Sequence, residues 1–213
     1  MVSNMALHEE AFALFNERHG LPRLTAGMRA RLDGKRNRDI FPVLFAQPLS
    51  ADEQRRFAEE KEALYRELSR GRLVPLRGLT RLLDVLEERR LPVALATSAP
   101  AENVVHTLGE LGLAGRLTRI VRSDEVPRGK PDPDVFLAAA RLIAVAAAEC
   151  VAFEDAPAGV LAARAAGMAC VAVTTTFSAG TFAAHGAAPD VEVADFEAYL
   201  AGAGAWLLAE EAG

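Results

Sequence analysis

The chain has 213 residues, enough for one sizeable domain or a core with a smaller companion, and its 51% hydrophobic content excludes global disorder. Its 29 acidic and 24 basic residues are interspersed and leave a formal charge of −5, so no basic stripe can follow a phosphodiester backbone and nucleic acid is excluded as a partner. Cys150 and Cys170 lack C-x-x-C spacing and stand in apolar stretches, as reduced core thiols of a cytoplasmic protein do.

The first ten residues have no basic region followed by an apolar one, so they do not read as a secretion signal. The first third predicts helix after helix. Met5, His8, Phe12 and Phe15 recur at three- and four-residue spacing, and Gly20 and Pro22 end that segment. A shorter helix is expected over 24–32, closed by Gly34, and a third over 37–45 with Ile40, Leu44 and Phe45 on one side. The fourth, over 51–70, opens with Ser50 and Glu53 as a capping box and buries Phe57, Leu64 and Leu68.

From Pro75 the pattern alternates between helix and strand, the signature of parallel βαβ units. A helix over 79–90 leads into a short apolar strand at 92–96. A helix at 101–111, a strand at 118–121 and a helix opening at Asp132 and Pro133 follow. The apolar stretch 137–153 is broken by Arg141 and Glu149 and is rich in alanine, too weak for a membrane span. A strand at 151–153, a helix at 158–166 ended by Gly167, and strands at 168–173 and 191–193 come next. A single helix over 196–209 closes the chain, and no internal repeat is present.

Three polar clusters fall just beyond the carboxyl ends of expected strands, where open parallel sheets bind ligands: Thr97 with Ser98, Lys130, and Glu154 with Asp155. Each alone has an ordinary reading, as a helix cap, a solvated loop lysine, or acids opposing a helix dipole. Their order and context add more. Val93-Ala-Leu-Ala-Thr-Ser98, Gly129-Lys-Pro-Asp-Pro133 and Val151-Ala-Phe-Glu-Asp-Ala-Pro-Ala-Gly159 resemble, in sequence order, the second, third and fourth motifs of the haloacid dehalogenase superfamily. Asn4-Met-Ala-Leu-His-Glu-Glu-Ala-Phe12 resembles the segment after the first motif in its β-phosphoglucomutase-like, sugar-phosphate phosphatase subgroup.

The resemblance implies an α/β fold, a Rossmann-like parallel sheet over 75–213 with a small α-helical cap over 1–74, hinged near 2–4 and 73–75. It implies a Mg²⁺-dependent phosphatase that passes through an aspartyl phosphate and acts on a small phosphorylated metabolite. Glu154 and Asp155 would belong to the metal site. Thr97 and Ser98 would hold phosphoryl oxygens, and Lys130 would offset the clustered negative charge. The helical cap would close over the site and exclude water.

The first motif, a hydrophobic strand ending D-x-D-G-T or D-x-D-G-V, does not occur in the chain. Without its two aspartates there is neither attacking group nor acid/base, so negligible turnover is expected. The strand it ends is the central one of the resembled sheet. A handful of buried branched side chains there, at roughly 1.5–3 kcal/mol each, amounts to about 10 kcal/mol, comparable with a domain's net stability. A start about a dozen residues upstream is therefore expected; the competing reading is a non-catalytic binding or regulatory remnant. Without the central strand, those bearing Thr97 and Glu154 should flank a gap of about 10 Å or pair directly.

On the cap, His8 and Lys61 match substrate-facing positions of the resembled mutases, although such residues are commonly a packed histidine and a solvated lysine. The loop 34–38, with Lys35, Arg36 and Asn37, is the candidate grip on an anionic substrate. The mutases carry Ser and Asn where this chain has Ala99 and Ala101, so monophosphate hydrolysis is expected over phosphomutase chemistry. Neither the metabolite nor the oligomeric state is legible.

Overall fold

Residues 1–25, 28 and 37–209 are described by a computed structural model, without the side chains of 38 and 39. They divide into a helical unit, Asn4–Leu73, and an α/β unit made of Met1–Ser3 and Val74–Gly213. Met1–Ser3 join the later part of the chain through an isolated antiparallel bridge between Val2 and Pro75, and the Leu76 N–H donates to the Met1 carbonyl at 2.9 Å.

The helical unit contains α1 (Met5–Arg18), α2 (Asn37–Leu44) and α3 (Ala51–Ser69). Helix α1 buries Leu7, Ala11, Phe12 and Phe15, so its inner stripe is rotated from the expected one and leaves Met5 and His8 half-buried. Helix α2 buries Ile40, Phe41 and Leu44, with Phe45 half-buried just beyond it. The capping box of α3 is present: the Glu53 N–H donates to Ser50 Oγ at 3.3 Å, and the Ser50 N–H donates to Glu53 Oε2 at 2.9 Å. The inner faces meet in an aromatic core in which the Phe15 ring lies 5.3 Å from Phe41 and 5.8 Å from Phe57, and Phe45 stacks on Phe57 at 4.5 Å. The helix expected over 24–32 falls largely outside the described residues.

The α/β unit runs α4 (Leu79–Glu88), β1 (Leu95–Thr97), α5 (Ala101–Glu110), β2 (Ile120–Arg122), α6 (Asp134–Leu142), β3 (Val151–Glu154), α7 (Pro157–Ala165), β4 (Ala169–Val173), β5 (Val191–Val193) and α8 (Phe196–Ala201). Among the described residues all pairing between named strands is parallel, in two separate sheets. Strands β1 and β2 pair with Ala96 opposite Val121, while β4 lies between β3 and β5, with Glu154 opposite Ala172 and Val171 opposite Val191. Of the two arrangements expected without a central strand, direct pairing of β1 with β3 does not occur among the described residues.

Helices cover the sheets on two faces. One interior is rich in alanine, built from α6, α7 and strand residues such as Ala139, Ala152, Val160, Ala162 and Ala163. The other is built from leucines and aromatics of α4, α5 and α8, among them Leu82, Leu108, Phe196 and Tyr199, against Val171 and Val173 of β4.

Three sequence expectations need correction. Helix α6 begins at Asp134 with Pro133 as its N-cap residue, because the Asp134 carboxylate and Asp132 both engage Arg128 instead of a free helix end. The closing helix stops at Ala201, and a 3₁₀ turn, Ala205–Leu208, follows; Gly204 lies so close to the Tyr199 ring that a side chain there would collide with it. Cys170 is buried as expected, but Cys150 is only half-buried, since it follows the exposed 3₁₀ turn Ala147–Glu149 at the open start of β3. Among the described residues no helix is long and apolar enough to cross a membrane.

Candidate functional site

Strand β1 ends at Thr97, β3 at Glu154, and Lys130 stands in the loop before α6. The Lys130 ammonium reaches both strands: it donates to the Ala96 carbonyl at 3.3 Å and pairs with Glu154 Oε1. Its approach is fixed by packing, with Nζ 4.9 Å from the centroid of the Phe136 ring. Residues far apart in sequence therefore meet at the carboxyl ends of the two sheets, where parallel strands leave room for a ligand.

Glu154 is buried and its carboxyl pKa is raised, by burial above all; Lys130 opposes the rise and the neighbouring Asp155 adds to it. Gly159, in the first turn of α7, packs directly on the Glu154 carboxylate, and any side chain there would overlap it. The motif's glycine is thus required by a close approach and not by a turn. Asp155 accepts a hydrogen bond from Thr176 Oγ1 at 2.6 Å. The Met1 amino group feels the same acids: burial lowers its pKa, while Asp155 and Glu154 oppose the fall.

Thr97 Oγ1 accepts the Ala99 N–H at 3.1 Å, which leaves its own proton available to a ligand oxygen. Ser98 is exposed and its hydroxyl lies 3.1 Å from Ser123 Oγ. Among the described residues no group of three or more His, Cys, Asp or Glu side chains could by itself hold a metal. The adjacent carboxylates of Glu154 and Asp155 do suit Mg²⁺, which takes one or two protein carboxylates and fills its octahedron with water and phosphate oxygens.

In the helical unit, His8 and Lys61 come together. Lys61 Nζ donates to His8 Nδ1 at 2.8 Å and to Glu62 Oε1 at 2.9 Å, and Asn37 donates to the same Glu62 oxygen at 2.7 Å. The His8 ring stacks on Tyr65 with centroids 3.9 Å apart, and Tyr65 OH accepts from Asn4 at 2.6 Å. The solvated lysine expected on a charged helix is not found, since Lys61 is only 2% exposed. Burial lowers the Lys61 pKa, with Glu62 opposing; burial and then Lys61 push His8 down to about 3, again with Glu62 opposing. His8 is therefore neutral, and with Nδ1 accepting, its proton sits on Nε2. Lys35 and Arg36 lie outside the described residues.

Sequence reasoning missed Ser123, Thr176, Glu62 and Tyr65. The run Thr174-Thr175-Thr176 beyond β4 held a usable signal, because hydroxyls at a strand's carboxyl end stand at the ligand edge. Glu62 and Tyr65 held none, each being ordinary on an amphipathic helix.

Comparison with known proteins gives a consistent result. The model of the haloacid dehalogenase-like hydrolase family matches residues 3–167. A phosphorylated carbohydrates phosphatase of Thermotoga maritima is 31% identical over 166 residues, 76% of this chain and 74% of that one. Validoxylamine A 7'-phosphate phosphatase of Streptomyces hygroscopicus subsp. limoneus is 42% identical over 113 residues, 52% of each protein, so the matched region spans about half of that relative. A HAD hydrolase of family IA, variant 3, from Entamoeba histolytica shares the fold with a TM-score of 0.85 at 23% identity, over 92% of this chain and 89% of that one.

Proposed function

Because the chain belongs to the haloacid dehalogenase-like hydrolases, we propose that its α/β unit is the phosphate-binding part of a Mg²⁺-dependent phosphatase for small phosphorylated metabolites of the sugar-phosphate type. The observation that carries this reading is the Lys130 ammonium held between the end of β1 and the Glu154 carboxylate. The names of the relatives, a phosphorylated carbohydrates phosphatase and a validoxylamine phosphatase, favour the same substrate class.

Lys130 holds positive charge where phosphoryl oxygens gather, and the Thr97 hydroxyl donates to one of them. Glu154 and Asp155 would hold Mg²⁺, which when bound neutralises the phosphoryl oxygens against an approaching carboxylate. Hydrolysis through an aspartyl phosphate needs an aspartate in a D-x-D-G-T or D-x-D-G-V sequence. Residues 1–213 contain none, so this chain alone binds the phosphate and turns over negligibly.

The test assays p-nitrophenyl phosphate with Mg²⁺, using the chain alone and the chain preceded by an apolar strand ending D-x-D-G-T. The chain alone should stay at background and the extended protein should hydrolyse, with Lys130→Met in the latter lowering kcat by about 100-fold or more. A folded, extended protein that remains inactive overturns the reading and leaves phosphate binding without reaction.

A further inference from the structure

Strands β3 and β4 are parallel neighbours, with Glu154 opposite Ala172, so the residues just beyond their carboxyl ends meet at one edge of the sheet. There Thr176 Oγ1 donates to Asp155 Oδ2 at 2.6 Å, the length usual for a hydroxyl bound to an ionised carboxylate. Asp155 Oδ1 takes no hydrogen bond among the described residues. The two oxygens of this carboxylate are thereby made unequal: Oδ2 shares its charge with a proton, and Oδ1 keeps its lone pairs.

Thr176 is held from both sides. Thr174 gives its N–H at 2.8 Å and its hydroxyl at 3.2 Å to the Val193 carbonyl, which ties the end of β4 to β5. The Thr175 N–H closes a tight turn on the Val173 carbonyl at 2.9 Å. Beyond it, Phe177 packs on the alanine-rich interior, its ring 6.1 Å from that of the buried Phe182. The hydroxyl therefore reaches Asp155 from an anchored backbone, and the bond orients the carboxylate at little further cost in chain entropy.

We propose that Thr176 is a positioning residue that leaves Asp155 a single coordinating oxygen and so selects Mg²⁺ over Ca²⁺ at the carboxyl end of β3. The inference rests on the reading of Glu154 and Asp155 as the carboxylates for Mg²⁺. Magnesium demands a near-ideal octahedron of single oxygens, whereas the larger calcium ion accepts more ligands and often spans both oxygens of one carboxylate. Spanning Asp155 would set Ca²⁺ against the proton that Thr176 directs at Oδ2. The hydroxyl acts through Asp155 and touches neither the ion nor a substrate, as hydrogen-bond partners of coordinating side chains commonly do. A hydroxyl that only tethered the loop would leave the choice of ion unaffected.

The probe is Mn²⁺, which shares the oxygen-ligated octahedron of Mg²⁺ and whose free form is counted by electron paramagnetic resonance. It is titrated into the full chain, and Ca²⁺ is then added to displace it, which yields both affinities. Thr176→Val, close to threonine in size, should lower Mn²⁺ affinity by about tenfold or more. Ca²⁺ affinity should hold within about threefold, because Oδ2 becomes available to the larger ion, and the preference for Mn²⁺ should fall accordingly. Thr176→Ser should restore the wild-type preference. Thr176→Ala makes the same comparison if valine alters the far-ultraviolet circular dichroism. If the wild-type chain retains no Mn²⁺, or Asp155→Asn retains as much, the assignment of Mg²⁺ to Glu154 and Asp155 falls and this proposal with it. If the wild type binds through Asp155 while Thr176→Val changes neither affinity, or weakens both ions equally, selection by Thr176 alone is overturned. Failure of serine to restore the preference overturns it too.

Discussion

His8 and Lys61 set the protonation of the helical unit's polar core. The lysine donates to His8 Nδ1, so protonating that nitrogen would break the contact and put a second cation beside Lys61. The pKa near 3 in the folded chain compares with 6.5 in an exposed imidazole. Between those values the unfolded chain takes up a proton that the folded chain refuses, so stability falls as pH falls, by up to about 1.4 kcal/mol per pH unit from this group. The window from about pH 6.5 to 5 isolates it from ordinary carboxylates. Urea midpoints followed by far-ultraviolet circular dichroism should decline across this window in the wild-type chain, and His8→Asn should flatten the decline. An equal slope in the variant would remove His8 as its source. That His8 belongs to a polar cluster was legible only through resemblance. Its partners Glu62 and Tyr65 were not, because which face of α3 turns inward depends on packing against α1 and α2.

At the level of elements, the start of helix α3 is the feature most completely written in the sequence, although Leu68, expected in its buried stripe, is only half-buried. Ser50 and Glu53 satisfy each other's backbone donors, and the side chain of Ser50 is exposed enough that little else depends on it. Ser50→Ala should therefore cost about 1 kcal/mol, the usual worth of an N-cap, read as a lowered urea midpoint at unchanged slope. In the Glu53→Ala background the same substitution should cost less, since the reciprocal bond is already gone. Other elements were legible in kind but not in extent. Strand β5 falls at 191–193 as its apolar run predicts, whereas β1 begins three residues later than the apolar run at 92–96. Pairing with β2, with Leu95 opposite Ile120, decides where β1 counts as a strand, and hydrophobicity carries no record of a partner. Gly202 and Gly204 likewise gave the physical means to interrupt the last helix, but only the nearness of the Tyr199 ring made Gly204 necessary.

Across the α/β unit as a whole, the two faces are packed on different principles, and the alanine-rich one governs the site. Ala162 and Ala163 of α7 are fully buried against the sheet side, and this small-residue surface lets the helix come close enough for Gly159 to touch the Glu154 carboxylate. The opposite face uses leucines and aromatic rings and has more ways to repack. Enlarging the close-packed face should thus cost stability and disturb Glu154 together. Ala163→Leu adds three methyl or methylene-sized groups where none fits, and should lower stability by about 1–3 kcal/mol in urea. Ala165→Leu on the exposed side of the same helix serves as control, with a change within about 0.5 kcal/mol. If both variants behave alike, α7 is held loosely enough to shift outward, and close helix packing does not position Glu154.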